Sequence, residues 1–283
     1  MSEQRYGRAD FGNGGLNPKL DADSLVGEIG LDREEIEWRK EFVGFDEEDR
    51  ERLTGYREAF EENAERIAED FYDNLTGDEE TLAVIDRSPK GIEQLKRTQS
   101  AYLVTLADGE YGQAYFEDRA RIGKIHDMLE MPMKQYIGQY GVYYDLILPL
   151  IGERLTESLV DRLTAAGVDD EAVTAETLEA AVGEEVDDAV ADLLAVLRLI
   201  NLDMQVVADT YIHSYSQDLA EELERQRKVA GEVEESVAEA EEAASNVAES
   251  AEEISGLART QADSMTDVSE EVASMSATIE EIA

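Results

Sequence analysis

Two histidines, His126 and His213, are the whole imidazole inventory of this 283-residue chain, and cysteine is absent. Disulfides, thiolate-ligated haem, iron-sulfur clusters and cysteine-rich zinc sites are therefore excluded. A catalytic triad or a multi-histidine metal site is poorly supplied as well. His126 lies in Arg121-Ile-Gly-Lys-Ile-His126-Asp-Met-Leu-Glu-Met-Pro132, where Ile122, Gly123 and Leu129 share its face of a helix. A lone imidazole among apolar groups, one turn after a glycine, suits axial ligation of haem iron with the flat macrocycle against that face. It suits an ordinary core histidine equally. Upstream, Leu95, Thr98 and Tyr102 fall on one helical stripe, and Phe71 and Tyr72 stand on the preceding segment. Dioxygen on haem iron carries partial negative charge on its outer atom, so a hydroxyl from Thr98 or Tyr72 would stabilise it. Without a ligand both are simply semi-buried residues.

The elements that must position these groups are helical. From Asp32 onward helical periodicity dominates and no run alternates as a strand does, which predicts an all-α fold. A first short helix covers about 32–42, with Ile36, Trp38 and Phe42 as apolar residues. A second begins after Phe45 with acidic residues suited to a helix N-terminus and runs to Leu75, with a break near Gly55. Gly77 and Asp78 end it. Pro89 then opens a helix over about 90–107 that Asp108-Gly109 closes. Further helices are expected over 113–129 and from Pro132 to about Thr156, with a connection at Gly167. The last starts near Ala175 with Leu193, Leu194, Leu197, Ile200, Met204, Val207 and Tyr211 as its apolar face.

That last helix leads into a different kind of sequence. From Leu219 through Leu223, Gln226, Ala230 and Val233 to Ile279 and Ile282, a 4-3 spacing repeats without a slip. Such a stripe is hidden only by a partner helix, most simply a second copy, so the segment reads as a left-handed dimeric coiled coil on the order of 95 Å long. Every Trp, Phe and Tyr lies at or before Tyr215 and every proline at or before Pro149. The composition thus divides the chain into a polar tail (1–24), a helical head (25–218) and the coil (219–283). Alanine fills the seam from Ala230 to Ala258; each missing buried methylene forgoes roughly 0.8 kcal/mol, which favours interconverting packings there. The heptads are intact at Ile282, so the sequence reads as the front of a longer, C-terminally truncated chain.

Acidic residues outnumber basic ones 68 to 25, for a net charge of −43. This surface repels nucleic acid and anionic membrane. Its self-repulsion is costly at ordinary ionic strength and vanishes when molar salt shrinks the Debye length to about 3 Å. A halophile's cytoplasmic protein is the expectation. The longest uncharged apolar runs, such as 146–151, are too short to cross a bilayer, and 1–23 lacks a signal peptide's apolar stretch.

Five segments together resemble a known family. Glu35-Ile-Glu-Trp38, Asp70-Phe-Tyr-Asp-Asn-Leu75, Glu93-Gln-Leu-Lys-Arg-Thr-Gln99, Arg119-Ala-Arg-Ile-Gly-Lys-Ile-His126 and Asp209-Thr-Tyr-Ile212 resemble, in order, the sensor domain of globin-coupled sensors. The whole chain resembles the haem-based aerotaxis transducers of the HemAT type, particularly haloarchaeal ones. The resemblance implies a globin-like sensor domain followed by the start of a chemoreceptor signalling domain. It implies a b-type haem with His126 as proximal iron ligand, Tyr72 and Thr98 as distal hydroxyls, and Leu95 where many globins have a distal histidine, with Phe71 also lining the pocket. Tyr136 matches a tyrosine near the proximal ligand, and its hydroxyl is placed to hydrogen-bond the imidazole. His213 matches no haem position. The helices beginning at Pro132 and Ala175 would pair with their copies as a four-helix bundle. Ser276-Ala-Thr-Ile-Glu280-Glu281 resembles a reversibly methylated site, against the simpler reading of a solvated face. In a full-length parent the output would be a chemotaxis histidine kinase and its coupling protein.

The leading expectation is a non-enzymatic haem dioxygen sensor for aerotaxis. Its alternatives are a sensor of carbon monoxide, nitric oxide or redox state, a cofactor-free dimeric adaptor, and a haem enzyme, for which no distal histidine and arginine pair is evident. The charge yields a direct check: the unfolding temperature should climb as potassium chloride is raised from 0.1 M to molar concentrations, and a flat response would remove the halophile reading.

Overall fold

The computed structural model describes residues 14–166 and 174–282. Every regular element among them is helical. A short 3-10 turn (Asn17–Lys19) precedes α1 (Ala22–Glu28), α2 (Arg33–Val43), α3 (Glu47–Thr54), α4 (Arg57–Thr76), α5 (Glu79–Arg87), α6 (Ile92–Thr105), α7 (Gln113–Met128), α8 (Met133–Ala166) and α9 (Ala175–Ile282). Contacts divide the chain into two compact units between Gln217 and Asp218.

Aspartates start four of these helices. Asp21, Asp32, Asp46 and Asp78 each accept a first-turn N–H, and Asp46 with Asp49 completes a reciprocal capping box. Gly44 ends α2 in the left-handed conformation at φ 74°. Small residues let α4 and α6 cross closely: Ala64, Ala68 and Ala101 are fully buried, and Ser100 Oγ donates to the Ala64 carbonyl at 3.2 Å. Gly123 of α7 faces α9 in the same way; a Cβ there would stand 3.0 Å from Thr210 Cβ.

Several sequence expectations are corrected. The segment from Gly14 to Leu31 is structured rather than part of a tail ending at residue 24, with Leu25 and Leu31 in the core; residues 1–13 lie outside the described ones. Helix α5 follows Asp78 where no helix was expected. Pro89 does not open the next helix: it holds Ser88 extended at ψ 132°, and α6 starts only after Gly91. Helix α8 runs on through Pro149 to Ala166 instead of stopping near Thr156. On α2, Ile36 is buried whereas Trp38 and Phe42 stack on each other at the surface, 5.0 Å between ring centroids. Of the expected apolar face of α9, Ile200, Val207 and Tyr211 are buried and Leu193 and Met204 pack on the core; the face is wider than expected, with Leu199, Leu202 and Val206 also inside, and Leu194 alone of that set is exposed. The connection expected at Gly167 lies outside the described residues.

The second unit, residues 218–282, is one helix whose apolar stripe no described residue of this chain covers: Val247 is 69% and Ile254 65% exposed. Its heptad spacing is that of a coiled coil. The side chains of Glu280 and Glu281 lie outside the described residues.

One buried ion pair joins three helices of the first unit. Arg119 of α7 and Asp203 of α9, 1% and 0% exposed, meet at 2.9 Å. Tyr102 of α6 donates to Asp203 at 2.9 Å and Tyr115 of α7 at 2.7 Å, while Arg119 Nη2 donates to Thr105 at 2.9 Å. The guanidinium also lies against both tyrosine rings, at 4.6 and 3.9 Å. Burial alone would lower the Arg119 pKa, but the carboxylate and the phenols raise it well above its ordinary value. Removing one partner strands a charge in the core. Asp203→Leu should therefore cost about 3–5 kcal/mol, and Arg119→Met with Asp203→Leu together should recover much of it. Urea unfolding in molar salt measures both.

Candidate functional site

The site is built from the proximal side upward. Helix α7 carries His126, whose Nδ1 lies 2.9 Å from the Ile122 carbonyl one turn back. A carbonyl only accepts, so Nδ1 holds the proton and Nε2 is left with its lone pair. Nε2 makes no hydrogen bond among the described residues. Burial lowers the His126 pKa, partly offset by the bond to Ile122, which keeps the imidazole neutral and able to ligate a metal. The turn after α7 is held from two directions. Arg87 at the end of α5 donates to the Leu129 and Glu130 carbonyls at 2.6 and 3.1 Å, and Tyr211 of α9 donates to the Met131 carbonyl at 3.0 Å.

Helix α8 supplies an aromatic wall. Tyr136, Tyr140 and Tyr143 follow one another at i, i+4 and i+7, and their rings run from His126 across to Phe71 and Tyr102. Tyr136 meets His126 edge to face, with centroids 5.2 Å apart. Its hydroxyl pairs with that of Tyr140 at 3.3 Å, so the expected hydrogen bond from Tyr136 to the imidazole is corrected to a ring contact. Nδ1 has the backbone instead.

Helices α4 and α6 contribute further lining. Tyr72 is buried, and burial alone raises its pKa, so the phenol keeps its proton; its hydroxyl has no hydrogen-bond partner among the described residues. Thr98 is different. It donates to the Gln94 carbonyl at 2.9 Å and accepts from Lys90 Nζ at 3.0 Å, so its proton is already committed. Leu95 adds an apolar surface beside it.

All six residues singled out in the sequence, Phe71, Tyr72, Leu95, Thr98, His126 and Tyr136, line one pocket. It encloses about 1100 Å³, including its solvent-open mouth. His213 is elsewhere, paired with Glu28 of α1 at 2.9 Å. Sequence reasoning missed Lys90, Tyr140, Tyr143 and the Gly15–Asn17 segment, which also line the pocket. The helical spacing of the three α8 tyrosines was a usable signal; nothing comparable marked Lys90. Among the described residues no three His, Asp or Glu side chains gather to hold a bare ion. The residues present fit a metal carried by a flat macrocycle that brings its own equatorial ligands; His126 would hold it through Nε2.

The all-helical unit that builds this pocket has a globin-type fold. The Protoglobin family pattern matches residues 32–217, and the chain belongs to that family. It is 38% identical over 275 residues to the Heme-based aerotactic transducer HemAT of Halobacterium salinarum, covering 96% of this chain and 51% of that protein. The chain thus spans about half the length of the curated relative it matches. Among solved structures, the globin domain of the Geobacter sulfurreducens globin-coupled sensor superposes with a TM-score of 0.48 at 20% identity, covering 62% of this chain and 96% of that one.

Proposed function

We propose that this chain is the sensory part of a haem-based dioxygen sensor and signal transducer for aerotaxis. The observation that carries the reading is the pairing of an unprotonated, unpartnered His126 Nε2 with the unpartnered Tyr72 hydroxyl in one aromatic pocket. The matching name of the Halobacterium relative, over nearly the whole of this chain, supports it.

In this reading a b-type haem supplies an iron that binds the diatomic gas reversibly. His126 holds the group through Nε2, and the Ile122 carbonyl fixes the ring's tautomer and raises its basicity. Tyr136 packs edge-on against the imidazole and limits its rotation. Tyr72 donates to the bound gas; Thr98, its proton held by Gln94, contributes less. The same pocket would admit carbon monoxide, but that ligand accumulates less charge and gains less from the Tyr72 donor.

The rest of the reading follows from the second unit. Its uncovered heptad stripe supports a homodimer, and the longer protein would pass the signal to a chemotaxis kinase and its coupling protein. No helix among the described residues is long and apolar enough to cross a membrane, which agrees with action in the cytoplasm. The chain itself is proposed to bind and signal rather than to catalyse.

A spectrum tests the first step. Reconstitution with haem should give a Soret band that shifts with dioxygen and is lost in His126→Ala; a colourless wild-type protein would refute the sensor and leave a cofactor-free adaptor. Stopped-flow release tests the second. Tyr72→Phe should speed dioxygen release by about tenfold or more, whereas Thr98→Val should change it severalfold less. The reverse order would reassign the donor.

A further inference from the structure

The helix that carries His126 closes with a glutamate where such closures use glycine. Helix α7 finishes with the Met131 N–H donating to the His126 carbonyl at 3.0 Å and the Glu130 N–H to the Asp127 carbonyl at 2.8 Å, a pairing that puts one residue in the left-handed region. That residue is Glu130, at φ 51°, the one non-glycine residue with positive φ among those described. A Cβ crowds the backbone in this conformation, so the closure has to be held from outside.

Three successive carbonyls of the turn are held by side chains from two other helices. Arg87, in the last turn of α5, donates from Nε to Leu129 at 2.6 Å and from Nη2 to Glu130 at 3.1 Å, and the Tyr211 hydroxyl of α9 donates to Met131 at 3.0 Å. Guanidinium N–H groups only donate and carbonyls only accept, so both Arg87 bonds have a single sense. They also bring a cation to the negative end of α7, where it is favoured. Arg87 is exposed, yet its Nε bond to Leu129 is partly shielded from water. Near the start of α5, Glu80 accepts from Lys134 Nζ and Gln135 Nε2 at 3.4 Å each, so α5 spans the corner from the end of α7 to the start of α8.

His126 is bracketed by this arrangement. Its Nδ1 is tied upstream to the Ile122 carbonyl and its own carbonyl downstream to the Met131 N–H. Leu129 and Met131 line the pocket beside it. A turn that relaxed at Glu130 would release the His126 carbonyl and let the imidazole pivot. We propose that Arg87 is a positioning residue for His126: by holding the left-handed closure at Glu130, it fixes how Nε2 is presented to the pocket. The proposal rests on the haem reading above, in which Nε2 is the iron ligand. Arg87 does not line the pocket and acts only through the turn.

The test reads the turn and the histidine separately, on the full chain in molar salt. Amide hydrogen exchange at Glu130 and Met131 should speed about tenfold in Arg87→Met, the scale of one charge-assisted hydrogen bond. In the ferrous haem-loaded protein the same variant should show a shifted and broadened iron–histidine stretching band by resonance Raman. Glycine takes positive φ without strain, so adding Glu130→Gly to Arg87→Met should return both readouts toward wild type. Arg87→Lys, which cannot span both carbonyls with a planar fork, should fall between. The glycine rescue separates a lost clamp from a misfolded variant. Unchanged exchange at the turn in Arg87→Met overturns the proposal. So does faster exchange with an unchanged iron–histidine band, the mark of a clamp that is structural only, and so does a shifted band that Glu130→Gly fails to restore. A wild-type chain without a Soret band after reconstitution would instead remove the haem reading, and the role at the iron with it, whatever exchange shows of the turn.

Discussion

The Arg119–Asp203 pair is the constraint on which the first unit's geometry depends. A charge in a low-dielectric core must be answered on every side, and here the answer comes from α6, α7 and α9 at once. None of the three can slide by a turn without stranding a carboxylate or a guanidinium. Tyr102 makes this constraint local to the pocket. Its hydroxyl binds Asp203 while its ring packs on Tyr143 in the aromatic wall, so the helix carrying Leu95 and Thr98 is referenced to the same fixed point as the helix carrying His126.

Within that frame the pocket sorts its polar groups by what they are still free to do. Nδ1 of His126, the Thr98 hydroxyl and the Tyr136 hydroxyl each have a protein partner. Nε2 of His126 and the Tyr72 hydroxyl do not, among the described residues. Neither atom is sealed in the core; both lie on the pocket's lining, where a ligand can reach the capacity they have left. The family resemblance assigned the candidate residues to one haem pocket, but it left Thr98 and Tyr72 equivalent. Only the neighbours of each hydroxyl separate them.

What was legible follows from the range of the interactions involved. Helices announce themselves through periods of three to four residues, so the segments bearing Tyr72, Thr98 and His126 and the head-to-coil composition change near Tyr215 could all be read directly. Asp203 lies 84 residues from Arg119, and no local pattern says that an aspartate inside α9 faces an arginine inside α7. The width of α9's buried face is a consequence: Asp203 and Thr210 are buried with Leu199 and Val206 beside the expected Ile200, Val207 and Tyr211, and a count of apolar residues alone misses the two polar ones. Gly14 and Gly15 misled for a related reason. Glycines in a polar stretch look like a loose tail, whereas their positive φ values serve a close approach to Lys90 that is visible only once the helices are in place.

The proximal helix and the last helix are joined at four levels, and this decides where a change at the pocket can go. Arg119 meets Asp203, Gly123 abuts Thr210, Lys124 donates to Ser214 at 2.7 Å, and the Tyr211 hydroxyl holds the turn that follows His126. Polar clamps at both ends bracket a backbone-close contact in the middle, where Gly123 leaves no side chain to yield. Close-packed interiors respond to displacement by moving elements together rather than by compressing. A displacement of α7 near His126 would therefore reach α9 at Thr210, which abuts Gly123 three residues before the imidazole. The Tyr136–Tyr211 ring contact gives α8 the same neighbour. Helices α7 and α8 of the pocket thus both lean on the 203–214 stretch of α9.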